Sequence, residues 1–239
     1  MLIKGTSHIV PSSRSRLLIL EDSTKVIWKS SPNATNSSAA EVQAHYLSHF
    51  LGFDLVPPTV IREIDGIRGT IQLWIEPTVD FSQALQSDLG KQSCFDFLIN
   101  NYDLAPRHNY VVEPGGRVWS IDNEKAFTAS IGSQCSACTR SASVPGDKIN
   151  WNSYLTQIRY FGCSKASCSM NVKYEAELVD RVFRTNRRGI ERFLASDESK
   201  PILERLNQIN KCDLELTTIQ RECLTQRAEV ILRLKDHET

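Results

Sequence analysis

Arg16-Leu17-Leu18-Ile19-Leu20, Glu21-Asp22-Ser23 and Lys25-Val26-Ile27-Trp28-Lys29 follow one another near the start of the chain. The first is an apolar run, the second is turn-like and the third alternates with period two, so the stretch predicts a β-hairpin. The next residues, Ser30-Ser31-Pro32-Asn33-Ala34-Thr35-Asn36-Ser37-Ser38, have the composition of a loop. Ser37 or Ser38 can cap a helix whose apolar positions include Val42, Leu47, Phe50 and Leu51, with Gly52 as its C′ residue. Val56-Pro57-Pro58-Thr59-Val60-Ile61 must be extended, because a proline restricts both itself and the residue before it. Asp65-Gly66 is a hairpin signal, and Gly69-Thr70-Ile71-Gln72-Leu73-Trp74-Ile75 is the strand that follows it. Strand, strand, helix, strand, strand is therefore the order to about residue 78.

Beyond it the pattern turns helical. Phe95, Phe97, Leu98 and Ile99 end one helix. Tyr110-Val111-Val112, a Glu113-Pro114-Gly115-Gly116 turn and Val118-Trp119-Ser120-Ile121 predict a second, small hairpin. Residues 129–148, rich in Ser, Gly, Cys and Thr, read as a surface loop. From about Lys173 apolar residues recur at helical spacing, at Leu178, Val182, Phe183, Ile190, Phe193 and Leu194. A last helix from about Thr217 to Asp236 carries Ile219, Leu224, Val230, Ile231 and Leu234. The class is α+β: a β-rich N-lobe over residues 1–78, a hinge near Glu76-Pro77, and a mainly helical C-lobe over 79–239. A cleft between two such lobes is a usual place for a nucleotide.

Composition narrows the function classes. The 239 residues hold 28 Lys+Arg against 28 Asp+Glu, which argues against a polybasic module for nucleic acid or membrane. At 41% hydrophobic and 23% charged residues the chain is ordinarily globular, not disordered. No apolar run reaches the roughly 18 residues of a transmembrane helix. Met1-Leu2-Ile3-Lys4-Gly5 is too soon polar for a secretory signal, so with Met1 as the true start the compartment is cytosolic. Seven cysteines and the sequons Asn33-Ala34-Thr35 and Asn36-Ser37-Ser38 would instead suit a secretory-lumen protein whose leader lies upstream. The pairs Cys135/Cys138 and Cys163/Cys168 have three readings, as zinc ligands, disulfides or reduced thiols, while Cys94, Cys212 and Cys223 stand apart. His45 and His49 are spaced for surface pairing on a helix rather than for a metal.

Phosphoryl transfer from ATP needs a cation on the phosphates, an acid holding that cation, a carboxylate for the nucleophile and oxygen ligands for Mg²⁺. Each part has a candidate, in a consistent order. Lys29 closes the second strand, where its stem can lie on the sheet and its ammonium reach the cleft. Glu41 starts the following helix and can pair with it. Asp103 and Asn109 flank the loop Asp103-Leu104-Ala105-Pro106-Arg107-His108-Asn109, and Asp122 follows the strand Val118-Trp119-Ser120-Ile121. Folding of the small hairpin brings Asn109 and Asp122 side by side as a hard-cation site, with Asp103 as the base or acceptor-orienting residue. Each also has a plain structural reading: a solvated strand lysine, a glutamate on the helix dipole, turn formers and a cap. The ordered set, not any one member, carries the inference.

Glu41-Val42-Gln43-Ala44, Leu51-Gly52-Phe53-Asp54-Leu55-Val56-Pro57-Pro58-Thr59-Val60, Gly69 to Ile75 and Gly116-Arg117-Val118-Trp119-Ser120-Ile121-Asp122-Asn123 resemble the atypical kinase superfamily. That superfamily joins phosphoinositide 3/4-kinase-like bacterial proteins, HipA-like kinases and secretory four-jointed-type kinases. The resemblance covers residues 1–127, most closely to the phosphoinositide-kinase-like group. It implies a bilobal protein-kinase-like fold and an ATP/Mg-dependent phosphotransferase acting on an acceptor the sequence does not name. By the same resemblance Lys29 contacts the ATP phosphates and Glu41 is its ion-pair partner. Gln72, Leu73, Trp74 and Ile75 supply the hinge for adenine, Asp103 is the catalytic-loop aspartate, and Asn109 and Asp122 are the metal ligands. Lys4-Gly5-Thr6-Ser7 to Ser12-Ser13 would be the phosphate-covering turn. The family's loop runs Asp-Arg-His-x-x-Asn, whereas here Asp103 and Asn109 stand one residue further apart and Arg107-His108 comes late. That departure supports the alternative of a nucleotide-binding pseudokinase or scaffold without turnover.

Overall fold

The computed structural model of the chain describes residues 8–9, 15–30, 35–76, 83–101, 109–127 and 189–236. Strand β2 (Ser15–Ile19) pairs antiparallel with β3 (Lys25–Ser30), as the opening hairpin predicts, with Leu17 opposite Ile27 and Ser15 opposite Lys29. Its turn is closed locally: Ser23 N donates to the Leu20 carbonyl, and Thr24 N donates to Asp22 Oδ1, both at 2.9 Å. A short β1 (His8–Ile9) pairs on the outer side of β2. Strands β4 (Thr59–Ile64) and β5 (Ile67–Leu73) meet at Asp65-Gly66, whose φ angles of 53° and 74° are both positive. A type I′ turn requires that sign at both central positions. The result is a five-stranded antiparallel sheet in the order β1-β2-β3-β5-β4.

Between the two hairpins runs helix α1 (Thr35–Leu51). It begins at Thr35, inside the stretch expected to be loop. A run of Thr, Asn and Ser suits a helix start as well as a loop, and here it is the start. Its end is as expected. Gly52 has φ 80°, its N–H donates to His49 O at 3.0 Å and Phe53 N donates to Ser48 O at 2.9 Å. This left-handed cap suits glycine, and the Ser48 hydroxyl adds a bond from Leu55 N at 2.9 Å. Period two sorts the sheet into faces. Val26 and Trp28 pack with Leu18 and Ile71 on one face. Ile27 and Lys29 lie on the other, beside Gln72 and Thr70 of β5.

The rest is mainly helical, as expected for the α+β class. Helix α2 (Gln86–Ile99) ends at Asn100, in left-handed conformation. The hairpin of β6 (Tyr110–Val112) and β7 (Val118–Ser120) follows, with Tyr110 opposite Ser120. A helical stretch over 189–194, helix α3 (Ser199–Leu206), a 3₁₀ turn (Ile209–Lys211) and helix α4 (Thr218–Asp236) complete it. The expected helix from Lys173 is therefore seen only at its end, where Ile190, Phe193 and Leu194 are buried, and residues 173–188 lie outside the described residues. So do the expected loop over 129–148 and Cys135, Cys138, Cys163 and Cys168. Cys94 and Cys212 are free thiols and Cys223 is disulfide-bonded. No helix among the described residues is long and apolar enough to cross a membrane.

One core joins the two halves. Ala44, Leu47 and Leu51 of α1, Phe53, Phe95 and Leu98 of α2, Phe193 and Leu194, and Leu224 and Ile231 of α4 belong to a single cluster. Phe53 stands at its centre, with ring centroids 5.4 Å from Phe95 and 5.9 Å from Phe193. Helix α1 is thus held from both sides, and its position follows that of the helical half. Phe95→Ala should lower stability in urea denaturation by about 3–5 kcal/mol. Gly66→Ala, where the added methyl meets nothing within 4 Å, should cost only the left-handed strain of about 1–2 kcal/mol. Equal effects at the two positions would contradict this division between core packing and turn geometry.

Candidate functional site

Lys29 Nζ donates to Glu41 Oε1 at 2.6 Å and to Asp122 Oδ1 at 3.2 Å. Three separate pieces of chain meet in those two bonds. Lys29 sits on β3 opposite Thr70 of β5, in the middle of the sheet, so its backbone is fixed on both sides. Glu41 lies in the second turn of α1, almost wholly buried, and its second oxygen, Oε2, has no hydrogen-bond partner among the described residues. Asp122 follows β7 and its side chain is 43% exposed, against 23% for Lys29. Burial works against the Lys29 charge, but the Glu41 and Asp122 carboxylates outweigh it and hold the ammonium above its ordinary pKa. Burial pushes the Glu41 carboxyl up, Lys29 pulls it back, and the Asp122 and Glu124 carboxylates push it up again. Two carboxylates thus share one ammonium.

Asp122 has φ 61°, a conformation that a non-glycine residue keeps only when its surroundings impose it. They do. On one side Ile121 N donates to the Asn109 carbonyl at 2.8 Å. On the other, Asn123 is fully buried: its Oδ1 accepts from Ser120 Oγ at 3.2 Å and from Asn101 Nδ2 at 3.4 Å, and its carbonyl accepts from Ala126 N at 3.0 Å. The Ile121–Asn109 bond ties the backbone of Asn109, itself buried, to the residue before Asp122. Asp103 lies outside the described residues.

The segment expected to be the hinge is tied to the sheet. Gln72, opposite Ile27, is buried and donates from Nε2 to Thr59 Oγ1 at 2.9 Å, while the Thr59 hydroxyl donates to Pro57 O at 2.7 Å. Leu73 N donates to Pro58 O at 2.9 Å and Trp74 N to Lys25 O at 3.0 Å. Trp74 Nε1 and Lys25 Nζ both donate to Glu76 Oε2, each at 3.0 Å. Ile75 is the first of the four residues beyond these ladder bonds.

A second polar cluster lies behind the site, and sequence reasoning missed it. Asp96, on α2, is fully buried; its Oδ2 accepts from Tyr110 Oη at 2.6 Å and its Oδ1 from Gln92 Nε2 at 3.1 Å. Asn101 adds a side-chain hydrogen bond, and its N–H donates to the Asp96 carbonyl at 3.0 Å. Burial among these neutral donors raises the Asp96 carboxyl to about 7. The signal that could have found it is a lone acid inside the apolar run Cys94-Phe95-Asp96-Phe97-Leu98-Ile99. Asn101 and Asn123 carry no such mark.

Chemically, the Asp122 carboxylate stands beside a lysine, and an Asn109 amide oxygen joined to it would make an all-oxygen pair. Such a pair suits Mg²⁺, which takes one or two protein ligands and completes its shell with phosphate oxygens and water. No cluster of three or more His, Cys, Asp or Glu side chains arranged for a metal occurs among the described residues.

No protein-family model matches the chain, and no curated protein matches it. Solved structures are similar to it at low identity. A Golgi casein kinase is 13% identical with TM-score 0.46, the match covering 99% of this chain and 72% of the other. The Helicobacter pylori proinflammatory kinase CtkA is 13% identical with TM-score 0.41, covering 97% and 95%. Hydra Fam20 with sugar is 17% identical with TM-score 0.39, covering 93% and 80%.

The raised Asp96 pKa has a definite sign. Between its ordinary 3.8 and about 7 the folded chain keeps a proton that the unfolded chain has released, so stability falls as pH rises through that window. Urea denaturation at about pH 5 and about pH 8 should show this loss in the wild type and a smaller loss in Asp96→Asn. Identical pH slopes in the two proteins would show that Asp96 is not the group responsible.

Proposed function

We propose that the chain is an ATP- and Mg²⁺-dependent phosphotransferase, with residues 1–78 and 79–239 as the two lobes of one kinase-like domain. The observation that supports it best is the meeting of Lys29 of β3, Glu41 of α1 and Asp122 after β7 in one ion-paired cluster. In protein kinases a strand lysine paired to a helix glutamate binds the phosphates, and an aspartate and an asparagine hold the metal ions. In this reading Glu41 fixes the direction of the Lys29 ammonium, and Lys29 leaves Asp122 to take a phosphate oxygen when nucleotide arrives. Asp122 and Asn109 would hold Mg²⁺, which neutralises phosphate charge as it develops. Gln72 to Ile75 would line the adenine; since the sheet takes the Leu73 and Trp74 N–H groups, the Ile75 N–H is the donor left for the base. Asp103 would orient the acceptor hydroxyl.

The longer Asp103–Asn109 spacing favours a second reading, a pseudokinase that binds nucleotide without turnover, since about 1 Å of misplacement can cost two orders of magnitude in rate. Compartment belongs to the same proposal. Disulfide-bonded Cys223 supports an oxidising one, because disulfides are rare in the cytosol. Radiolabelled ATP separates the two functional readings. The kinase reading expects phosphate release or autophosphorylation that is lost in Asp122→Ala and falls at least about 100-fold in Lys29→Met. Binding of Mg²⁺·ATP with no turnover in the wild type would establish the second reading instead.

A further inference from the structure

The bonds around Asp96 have a particular arrangement. They join Asn101, just after α2, to Tyr110, at the start of β6. Asn101 is held by Asp96 twice, by its N–H on the Asp96 carbonyl and by its side chain on the carboxyl. Tyr110 is held by its hydroxyl at 2.6 Å. Each of these two residues in turn adjoins a candidate metal ligand. Tyr110 follows Asn109 directly, while Asn101 Nδ2 reaches the side chain of Asn123, the neighbour of Asp122.

We infer that Asp96 is a positioning residue whose carboxyl clamps Tyr110 and Asn101 together and through them sets the separation of Asn109 and Asp122. The inference rests on the kinase reading above and names a part of that site which neither the resemblance nor the comparisons assign. It is more than a packing role. A fully buried carboxyl among neutral donors is an expensive way to fill space, and an apolar residue of similar volume would fill it at lower desolvation cost. What an apolar residue cannot do is accept at once from Gln92 on its own helix, from Asn101 just beyond that helix and from Tyr110 on β6, as the two oxygens of Asp96 do. Groups that orient metal ligands from behind typically change metal affinity by about 10–100-fold when removed, while the ligands themselves stay in place.

The test is the Mg²⁺ dependence of ATP-induced thermal stabilisation in the full chain, for wild type, Asp96→Asn, Tyr110→Phe and the double variant. Asn offers one acceptor oxygen where Asp offers two, so at least one donor is released. Tyr110→Phe removes a single hydroxyl and keeps the ring, so it remains informative if the Asp96 variant does not fold. The half-saturating Mg²⁺ concentration should rise about tenfold in each single variant, with metal-free ATP affinity unchanged. The double variant should be no worse than the weaker single one, because both changes break the same clamp. Unchanged Mg²⁺ dependence in folded variants would overturn the inference alone. An equal loss of metal-free and metal-dependent affinity would also overturn it, as general damage. A wild type that shows no Mg²⁺-dependent ATP binding would overturn the kinase reading, and the inference with it.

Discussion

A lysine ammonium, three-quarters buried, stands between a fully buried glutamate and a half-exposed aspartate, and the rest of the structure is arranged around keeping it there. Moving charge out of water is costly, and an attraction repays it only where the geometry is good and the remaining polar atoms are satisfied. Here they are not all satisfied, since Glu41 Oε2 has no partner among the described residues. A protein built for stability alone would do better with apolar residues at these positions. The cluster makes sense as a site held ready for a polar ligand, with the Lys29 charge pre-formed by its neighbours rather than assembled on binding.

Each partner reaches the lysine from a different level of the fold. The sheet fixes the Lys29 backbone from both sides. Helix α1 brings Glu41, and the same helix contributes Ala44, Leu47 and Leu51 to a core shared with α2 and α4. A shift of that core would therefore move Glu41. The small hairpin brings Asp122 in a left-handed conformation that the buried Asn123 network imposes. Burial is concentrated behind Asp122: Asp96, Asn101 and Asn123 are all buried, whereas Asp122 is open to solvent. That distribution is what a site needs if it is to bind without first rearranging.

Much of this was legible in the sequence where local rules decide. Period two and Asp65-Gly66 fix the hairpins, because a turn with two positive φ angles admits few residues. Lys29, Glu41 and Asp122, read from their order along strands and helices, do meet, and the hairpin between Asn109 and Asp122 forms where the pattern places it. Where local rules compete, reading failed. Thr35-Asn36-Ser37-Ser38 serves a loop and a helix start equally, and tertiary packing of α1 decided for the helix. Helix α2 hides its role, because it buries Asp88, Gln92, Ser93 and Asp96 along with its apolar residues and so presents no clean stripe. Asp96 is legible only as an oddity in an apolar run; its meaning depends on Tyr110, fourteen residues away, and no spacing rule connects the two.

The central claim is that Lys29 is a phosphate-binding cation whose partners also hold a metal. Isothermal titration of the wild type and Lys29→Met with ATP, in the presence and absence of Mg²⁺, tests it most directly. The account predicts binding that is strengthened by Mg²⁺ in the wild type and is lost or greatly weakened in the variant. Absence of binding by the wild type with Mg²⁺·ATP, or equal binding by wild type and variant, would contradict it.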